Sequence, residues 1–399
     1  MMISPVGSPA RGEQFFDRES EQRRFWRRLQ HDNILLLAPR RVGKTSLMLK
    51  LQEHAPGHGY QALYFTVEGA QNEGEFVQRL YEKLREFGTL PQRLQQHPGD
   101  WLKQLKRHFK KLPGVEFATE ADNDWRVQGE TILAALNKDV QPLLLLIDEV
   151  PVFILRLLDQ DSTGRRARDF LDWLRRLRQT VPSLRWLLAG SIGLDTVTAR
   201  LNCGDTINDL ALESLGAFPA AVADQFLLTL AQAAKLVLPA DLRQAMIERI
   251  EWLIPFHLCL FFDVLHEESE ECGHPPDSAM LETVFQKLLS TAQRSRFDYW
   301  RQRLHEQLGK PDGGWAVQLL SSIAREARGL TVEPLRQELG RQIHEPDERD
   351  SKLSYLLNVL ENDGYLVRVD TPPADGPNEA RFRFRSALLR AYWLKWVTL

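Results

Sequence analysis

Residues 33–51 of the 399-residue chain read NILLLAPRRVGKTSLMLKL, and this stretch decides the fold. The apolar run at 34–37 predicts a short buried strand, and the run at 47–51 predicts a helix. Between them lies a turn that ends in Gly43-Lys44-Thr45. A strand, a tight loop and a helix in this order are the setting of a phosphate-binding loop.

Each residue type in this loop has a chemical task. The backbone N–H groups of the loop and the positive end of the following helix can bind a phosphate. We expect Lys44 to reach the terminal phosphates of a nucleotide, and the Thr45 hydroxyl to be a ligand of Mg²⁺. The loop residues predicted to bind the nucleotide are Ala38, Pro39, Arg40, Arg41, Val42, Gly43, Lys44, Thr45 and Ser46.

The loop departs from the usual pattern G-x-x-x-x-G-K-[ST] at its first position, where the chain has Ala38 instead of glycine. Alanine fits wherever the backbone keeps a negative φ. The alternative interpretation is a basic turn in an ordinary α/β domain.

A second apolar run, LLLLI at 143–147, is followed directly by Asp148 and Glu149. A continuous run of this length is typical of a parallel strand that is buried on both faces. Carboxylates at its end need partners, because an unpaired buried charge is costly. We expect Asp148 to hold Mg²⁺ through water, and Glu149 to orient and polarise the attacking water as a catalytic residue beside Lys44.

Three further strands are predicted at 61–67, at 184–191 and near 209–215. Ser191 ends the second of these. By its resemblance to P-loop ATPases with an inserted strand, where a polar residue at this place senses the γ-phosphate, Ser191 is a candidate catalytic residue; alternatively it is a plain serine in a strand-to-helix turn. The order of the strands predicts an α/β fold, a P-loop NTPase with a parallel sheet flanked by helices.

Beyond Pro219 the pattern becomes helical, at 220–236, 239–254, 256–270 and 278–293. The last hundred residues read as helices at 315–327, 331–337 and 347–361, then two strands at 364–369 and 381–385, the order of a winged helix. We therefore expect a P-loop NTPase core at 1–216 with a helical insertion at about 73–135, a helical lid at 217–299 and a winged-helix domain at 300–399.

The charges of the winged helix leave its partner open. Its third helix begins with acidic residues, including Asp347 and Glu348, which phosphates repel, and this favours a protein partner. The basic strand with Arg381, Arg383 and Arg385 keeps DNA binding as an alternative.

Two basic helical segments have similar alternatives. The segment at 101–111 could touch nucleic acid, although an amphipathic helix with a solvated basic face explains it as well. The arginine-rich helix at 164–179 could supply an arginine finger to a neighbouring subunit, or it could carry only a solvated face.

The composition is that of a soluble globular protein, with 43% hydrophobic and 26% charged residues. A net charge of −3 gives no general attraction to nucleic acid or membranes. The three cysteines lack metal spacing, and the N-terminus lacks the apolar core of a signal peptide. We expect a cytoplasmic protein without a disulfide framework, a zinc site or a membrane span.

Five segments together resemble the prokaryotic ATPases of the archaeal-type and STAND groups, within the AAA-like P-loop superfamily. The resemblance covers nearly the whole chain. The segments are FFDRE at 15–19, APRRVGKTSL at 38–47, LLLLIDEVPVF at 143–153, LLAGS at 187–191 and the closing winged helix.

This resemblance implies ATP and Mg²⁺ as cofactors. It places Asp17 and Arg18 beside the adenine, although the family usually has glycine at the position of Asp17. Pro255 matches the proline of the lid motif G-x-P, but residues 252–254 supply no glycine.

The resemblance also implies an ATP-driven molecular switch that couples nucleotide state to assembly or partner recruitment. A protein partner and a homo-oligomer in the ATP state are expected. The alternatives are an ATP-dependent DNA-binding protein that acts through its winged helix, and a nucleotide-binding scaffold that hydrolyses nothing.

Overall fold

The structure is a computed structural model that describes residues 7–86, 124–136, 142–190, 193–371 and 379–398. The basic segment 101–111 and Ser191 lie outside the described residues. Within the described part, the chain forms two compact units. The sheet unit takes its residues from Arg18–Leu37 and Thr45–Ser214. The C-terminal unit contains the segment that ends at Asp17, the loop Ala38–Lys44, and the chain from Leu215 onward.

Five parallel strands form the sheet of the first unit, as the sequence predicted. They are β1 (Asn33–Leu37), β2 (Gln61–Thr66), β3 (Leu143–Asp148), β4 (Leu184–Gly190) and β5 (Leu210–Ser214). Their order across the sheet is β2-β3-β4-β1-β5. All six residues of β3 are buried, which confirms that its continuous apolar run marks a strand covered on both faces.

The register of the strands brings their carboxyl ends to one edge of the sheet. Thr66 of β2 lies opposite Asp148 of β3, and Leu37 of β1 lies opposite Gly190 of β4. In open parallel sheets this edge is where ligands bind. Asp148, at the end of β3, therefore lies at the edge where a site can form.

Along the chain, the described helices of the sheet unit come before and between its strands. They are α1 (Glu19–Leu29), α2 (Lys44–His54), α3 (Glu73–Glu86), α4 (Trp125–Leu136), α5 (Val150–Gln160), α6 (Arg165–Thr180) and α7 (Leu194–Arg200). The apolar side chains of α6 that are buried include Phe170, Leu171, Leu174 and Leu177. Its Phe170 packs against Phe76 and Phe153, with ring centroids 4.9 and 5.0 Å apart, so α3, α5 and α6 share one aromatic core.

The arginines of α6 form ion pairs within the sheet unit. The pairs are Arg166 with Glu73, Arg168 with Asp205, Arg176 with Glu130 and Arg178 with Asp209. Carboxylates of the same unit therefore neutralise four of the positive charges of this helix. An arginine finger in this segment stays a prediction.

The C-terminal unit is mostly helical. Its helices are α8 (Ala220–Ala234), α9 (Ala240–Ile250), α10 (Pro255–Cys272), α11 (Ser278–Leu288), α12 (Ser295–Leu308), α13 (Asp312–Arg325), α14 (Val332–Gly340), α15 (Pro346–Asn362) and α16 (Ala387–Trp396). Helix α12 was not expected from the sequence, and it spans position 300, where the winged-helix domain was predicted to begin. Among the described residues, no helix combines the length and the apolar character that crossing a bilayer requires.

The winged helix has the predicted order of elements. After α13, α14 and α15, the strands β6 (Leu366–Thr371) and β7 (Glu379–Phe384) pair in an antiparallel hairpin. A bridge between Leu330 and Phe382 joins the α13–α14 connection to β7. Three helices and a two-stranded wing confirm this part of the predicted fold.

Helices α12 and α13 approach closely at Gly313. A Cβ atom on Gly313 would lie 2.8 Å from both the Cα atom of His305 and the carbonyl oxygen of Leu304. Backbone atoms cannot move away cheaply, so only glycine fits. The neighbouring Gly314 has open space at the same point.

We predict that Gly313→Ala lowers the free energy of unfolding of the C-terminal unit by about 1–3 kcal/mol, because overpacking forces the helices apart. The matched control, Gly314→Ala, should be neutral or stabilise by up to about 1 kcal/mol, because alanine favours helix. Urea denaturation of both variants measures the difference. Equal stability of the two variants would show that the close approach is unimportant.

Candidate functional site

The loop after β1 has the backbone conformation that a glycine-containing phosphate loop needs. Gly43 has φ +99°, a region that side-chain-bearing residues rarely adopt. Helix α2 begins at the next residue, Lys44. The observed order of strand, loop and helix therefore presents N–H groups at a helix start, where an anion is favoured.

Lys44 is enclosed by its own loop. Its side chain is buried, and Nζ donates to the carbonyl oxygens of Ala38 and Pro39 at 3.1 and 3.3 Å. The ammonium group is thus held inside the turn of the loop. A phosphate placed in the loop would meet a fixed positive charge.

The two loop arginines contact aromatic rings of the C-terminal unit. The guanidinium of Arg40 lies 3.7 Å from the ring centroid of Tyr299, and that of Arg41 lies 3.8 Å from the centroid of Phe256. Burial, followed by the charge of Arg40, lowers the pKa of Arg41 to about 10. Arg41 therefore stays charged at neutral pH.

A hydroxyl and a carboxylate meet in the sheet unit at the predicted metal position. Thr45 Oγ1 donates to Asp148 Oδ2 at 2.7 Å. The backbone N–H of Glu149 donates to the other carboxylate oxygen at 3.0 Å. The structure thus brings together Thr45 and Asp148, the two predicted magnesium ligands.

Tyr64 adds a contact that was not expected from the sequence. Its hydroxyl donates to Asp148 Oδ2 at 3.4 Å. Burial raises the pKa of Tyr64, and the charge of Asp148 raises it further. The sequence shows a polar-tipped aromatic near the end of a strand, but only the order of the strands reveals that β2 lies beside β3.

Glu149 has a strained backbone. It lies directly before α5, with φ 62° and ψ 31° in the left-handed region. This conformation costs a residue with a Cβ atom about 1–2 kcal/mol. Such strain persists where the surroundings fix it, and it is enriched at active sites. It supports the catalytic role predicted for Glu149.

We predict that the free energy of unfolding of the Glu149→Gly variant is about 1 kcal/mol higher than that of the Glu149→Ala variant. Both substitutions remove the carboxylate, but only glycine relaxes the left-handed backbone. Chemical denaturation of the two variants gives this difference directly. If the alanine variant is as stable as the glycine variant, the backbone at this position is not strained.

The predicted adenine-side residues lie in two segments. Asp17 and Arg18 both have positive φ, 56° and 69°. Arg18 is buried, and Nη1 donates to Glu21 Oε1 at 2.8 Å. Burial acts to raise the pKa of Glu21, but hydrogen bonds from Ser20 and Arg18 outweigh it and keep this pKa below its usual value. A contact of Asp17 or Arg18 with a nucleotide stays a prediction.

Pro255 is the first residue of α10, where a proline is tolerated because its missing N–H has no helical partner. Its place beside the adenine also stays a prediction.

His257 lies fully buried two residues after Pro255. Nδ1 is 3.2 Å from the carbonyl oxygen of Trp252, and among the described residues Nε2 has no hydrogen-bond partner. Burial lowers the pKa of His257 to about 4; the carbonyl of Trp252 opposes this shift, and the charge of Arg41 adds to it. His257 is therefore neutral at pH 7 and is packed in the interior.

This lowered pKa predicts an acid-sensitive fold. An unfolded histidine binds a proton near pH 6.5, whereas folded His257 resists it down to about pH 4. Its contribution to stability is complete above pH 6.5 and is lost as the pH falls toward 4, by about 3 kcal/mol in total. His257→Asn keeps a donor for the Trp252 carbonyl and should lack this loss. Urea denaturation of both proteins between pH 7 and pH 4 tests it; parallel curves would contradict the prediction.

The side chains of Thr45, in the first turn of α2, and Asp148, at the end of β3, fit Mg²⁺ bound with a nucleotide. The hydroxyl of Thr45 and the carboxylate of Asp148 are hard oxygen ligands, which Mg²⁺ prefers. Among the described residues there is no group of three or more His, Cys, Asp or Glu side chains that could hold a metal ion. Mg²⁺ usually takes one or two protein oxygens, with water and phosphate completing its shell, so a small ligand set is sufficient.

Comparison with known proteins identifies the fold but no close relative. No protein-family model matches the chain, and no curated protein matches it. A solved Walker-type ATPase of Pyrococcus abyssi matches 98% of this chain and 99% of its own, with 17% identity and a TM-score of 0.62. The ORC2 protein of Aeropyrum pernix, solved as ADPNP–ADP complexes, matches 98% and 95%, with 14% identity and a TM-score of 0.59.

At these identities the likeness concerns the fold. The chain has the fold of an archaeal-type Walker ATPase over nearly its whole length. The resemblance drawn from the five sequence segments is confirmed at this level. The STAND relationship stays a prediction.

Proposed function

We propose that this protein binds ATP with Mg²⁺ and hydrolyses it, slowly or on activation by a partner, as a molecular switch. The switch couples nucleotide state to assembly or to recruitment of a protein partner. The observation that carries this proposal is the 2.7 Å hydrogen bond between Thr45 and Asp148. It joins the residue after the loop lysine to the carboxylate that ends the most buried strand.

The residues have separate tasks in this proposal. Lys44 and the loop N–H groups hold the β- and γ-phosphates, and Thr45 and Asp148 hold the metal. Bound Mg²⁺ supplies neutralisation of the charge that develops on the phosphates. Glu149 orients and polarises the attacking water. The ADPNP–ADP complexes named for the Aeropyrum pernix ORC2 protein support a nucleotide as the ligand of this fold.

Ser191, Asp17, Arg18 and Pro255 complete the proposed site. Ser191 would sense the γ-phosphate, and the other three would lie beside the adenine. A switch needs contacts that differ between its two states. ADP lacks the γ-phosphate of ATP and holds Mg²⁺ differently, so these two groups can supply the difference.

DNA binding through the winged helix is the second candidate. The wing arginines that favoured it in the sequence already donate within the chain: Arg381 to the Gly329 carbonyl, Arg383 to Glu251 and Arg385 to the Leu366 carbonyl. The first turn of α15 is acidic and exposed at Asp347 and Glu348. These charges favour a protein partner over DNA.

We expect ATP hydrolysis to fall about 100-fold or more in Lys44→Ala, because a positioned positive charge at the phosphates is removed. Glu149→Gln should lose hydrolysis but keep ATP binding and trap an assembled state. A turnover assay with wild type and both variants tests the loss of hydrolysis. Light scattering with and without ATP measures particle size and so tests assembly. Equal background turnover in all three, with no change in particle size, would refute an autonomous ATPase switch.

The same samples separate the alternatives. Binding to duplex DNA that weakens steeply with salt would favour the DNA-binding candidate. ATP binding without turnover, unaffected by Glu149→Gln, would favour the scaffold.

A further inference from the structure

The side chains of Arg40 and Arg41 are oriented by rings from outside the loop. Tyr299 belongs to α12 and Phe256 to the first turn of α10. Their ring centroids lie 3.7 and 3.8 Å from the two guanidinium groups. Phe256 is buried, and Arg40, Arg41 and Tyr299 are half-buried.

Positive charges lie near Arg41 in this cluster. The charges of Arg40 and Arg296 both lower the pKa of Arg41, and Tyr299 opposes this shift. Three arginines near one another repel, and burial makes the repulsion stronger. An anion is the partner that would relieve it. The aromatic faces offset part of the repulsion in the meantime.

Stacking leaves the arginines able to bind a phosphate. An aromatic ring contacts the face of a guanidinium, whereas the N–H donors point outward in its plane. These in-plane donors match the spacing of phosphate oxygens. A ring beneath the guanidinium reduces the freedom of the arginine side chain without occupying its donors. Less conformational entropy is therefore lost when the phosphate binds.

We propose that Tyr299 and Phe256 are positioning residues for nucleotide binding: they hold Arg40 and Arg41 so that these arginines donate to the phosphates of the nucleotide bound at the loop. The inference rests on the proposed function, and it names the groups that set the affinity of the same site. It also makes α10 and α12 part of the nucleotide response.

The test measures the dissociation constant of ATP with Mg²⁺ by titration calorimetry. Tyr299→Leu removes the ring, and we expect binding about three- to tenfold weaker, the size of a partly desolvated cation–π contact. Tyr299→Phe keeps the ring and should stay within about twofold of wild type. Phe256→Leu and Phe256→Tyr form the same pair for Arg41.

A double-mutant cycle separates positioning from a general loss of structure. In an Arg40→Gln background, Tyr299→Leu should have no further effect on ATP binding, because the ring then has no guanidinium to orient. Phe285→Leu is the matched control: it removes a stack with Arg249, at 3.4 Å, that does not involve the loop. ATP affinity should stay within about twofold in this variant.

Three results would overturn the inference: wild-type affinity in a folded Tyr299→Leu protein, additive effects of Arg40→Gln and Tyr299→Leu, or an equal loss in Tyr299→Phe. Failure of the proposed function has a different signature. In that case wild type and Lys44→Ala bind ATP equally poorly, and both proposals fall together.

Discussion

The carboxylate of Asp148 lies buried at the end of a strand that is apolar throughout, and this constraint shapes the sheet unit. A buried charge is tolerated only with donors around it. Here the donors come from the start of α2, from β2 and from the backbone before α5. Satisfying one carboxylate therefore ties the end of β3 to two segments that are distant in sequence, at Thr45 and at Tyr64. The same carboxylate is the group proposed to hold Mg²⁺ through water, so the requirement for stability and the proposed chemistry coincide.

The positive groups of the loop are stabilised in another way. Lys44 donates to carbonyl oxygens of its own turn, and Arg40 and Arg41 lie over aromatic rings. Neutral dipoles and ring faces attract a cation less strongly than a carboxylate does. An arriving phosphate can therefore compete for these cations, whereas a salt bridge would first have to be broken. The cations of the loop are therefore held in place and can still bind a phosphate.

Sequence periodicity was sufficient for the strands, the loop and the winged helix, because each is encoded by a local pattern of apolar residues and turns. The loop pattern and the carboxylates after an apolar run singled out Thr45 and Asp148 separately, and the structure joins the two by a hydrogen bond. Tyr64 and the rings of Tyr299 and Phe256 were missed, since their roles depend on strand order and on contacts between distant segments. The basic strand with Arg381, Arg383 and Arg385 shows the reverse problem: its charge suggested DNA, but the partners of these arginines lie within the chain.

The loop Ala38–Lys44 groups with the C-terminal unit, although both of its neighbours in the chain belong to the sheet unit. The polypeptide therefore passes from one unit to the other four times, at 17/18, 37/38, 44/45 and 214/215. Neither unit is a contiguous gene segment. A recombination event at 214/215 would transfer the sheet and the loop. It would not transfer the C-terminal residues against which the loop packs. Exchange of C-terminal modules among such proteins is then limited to modules that carry matching contacts for the loop, so the two parts of the chain must evolve together.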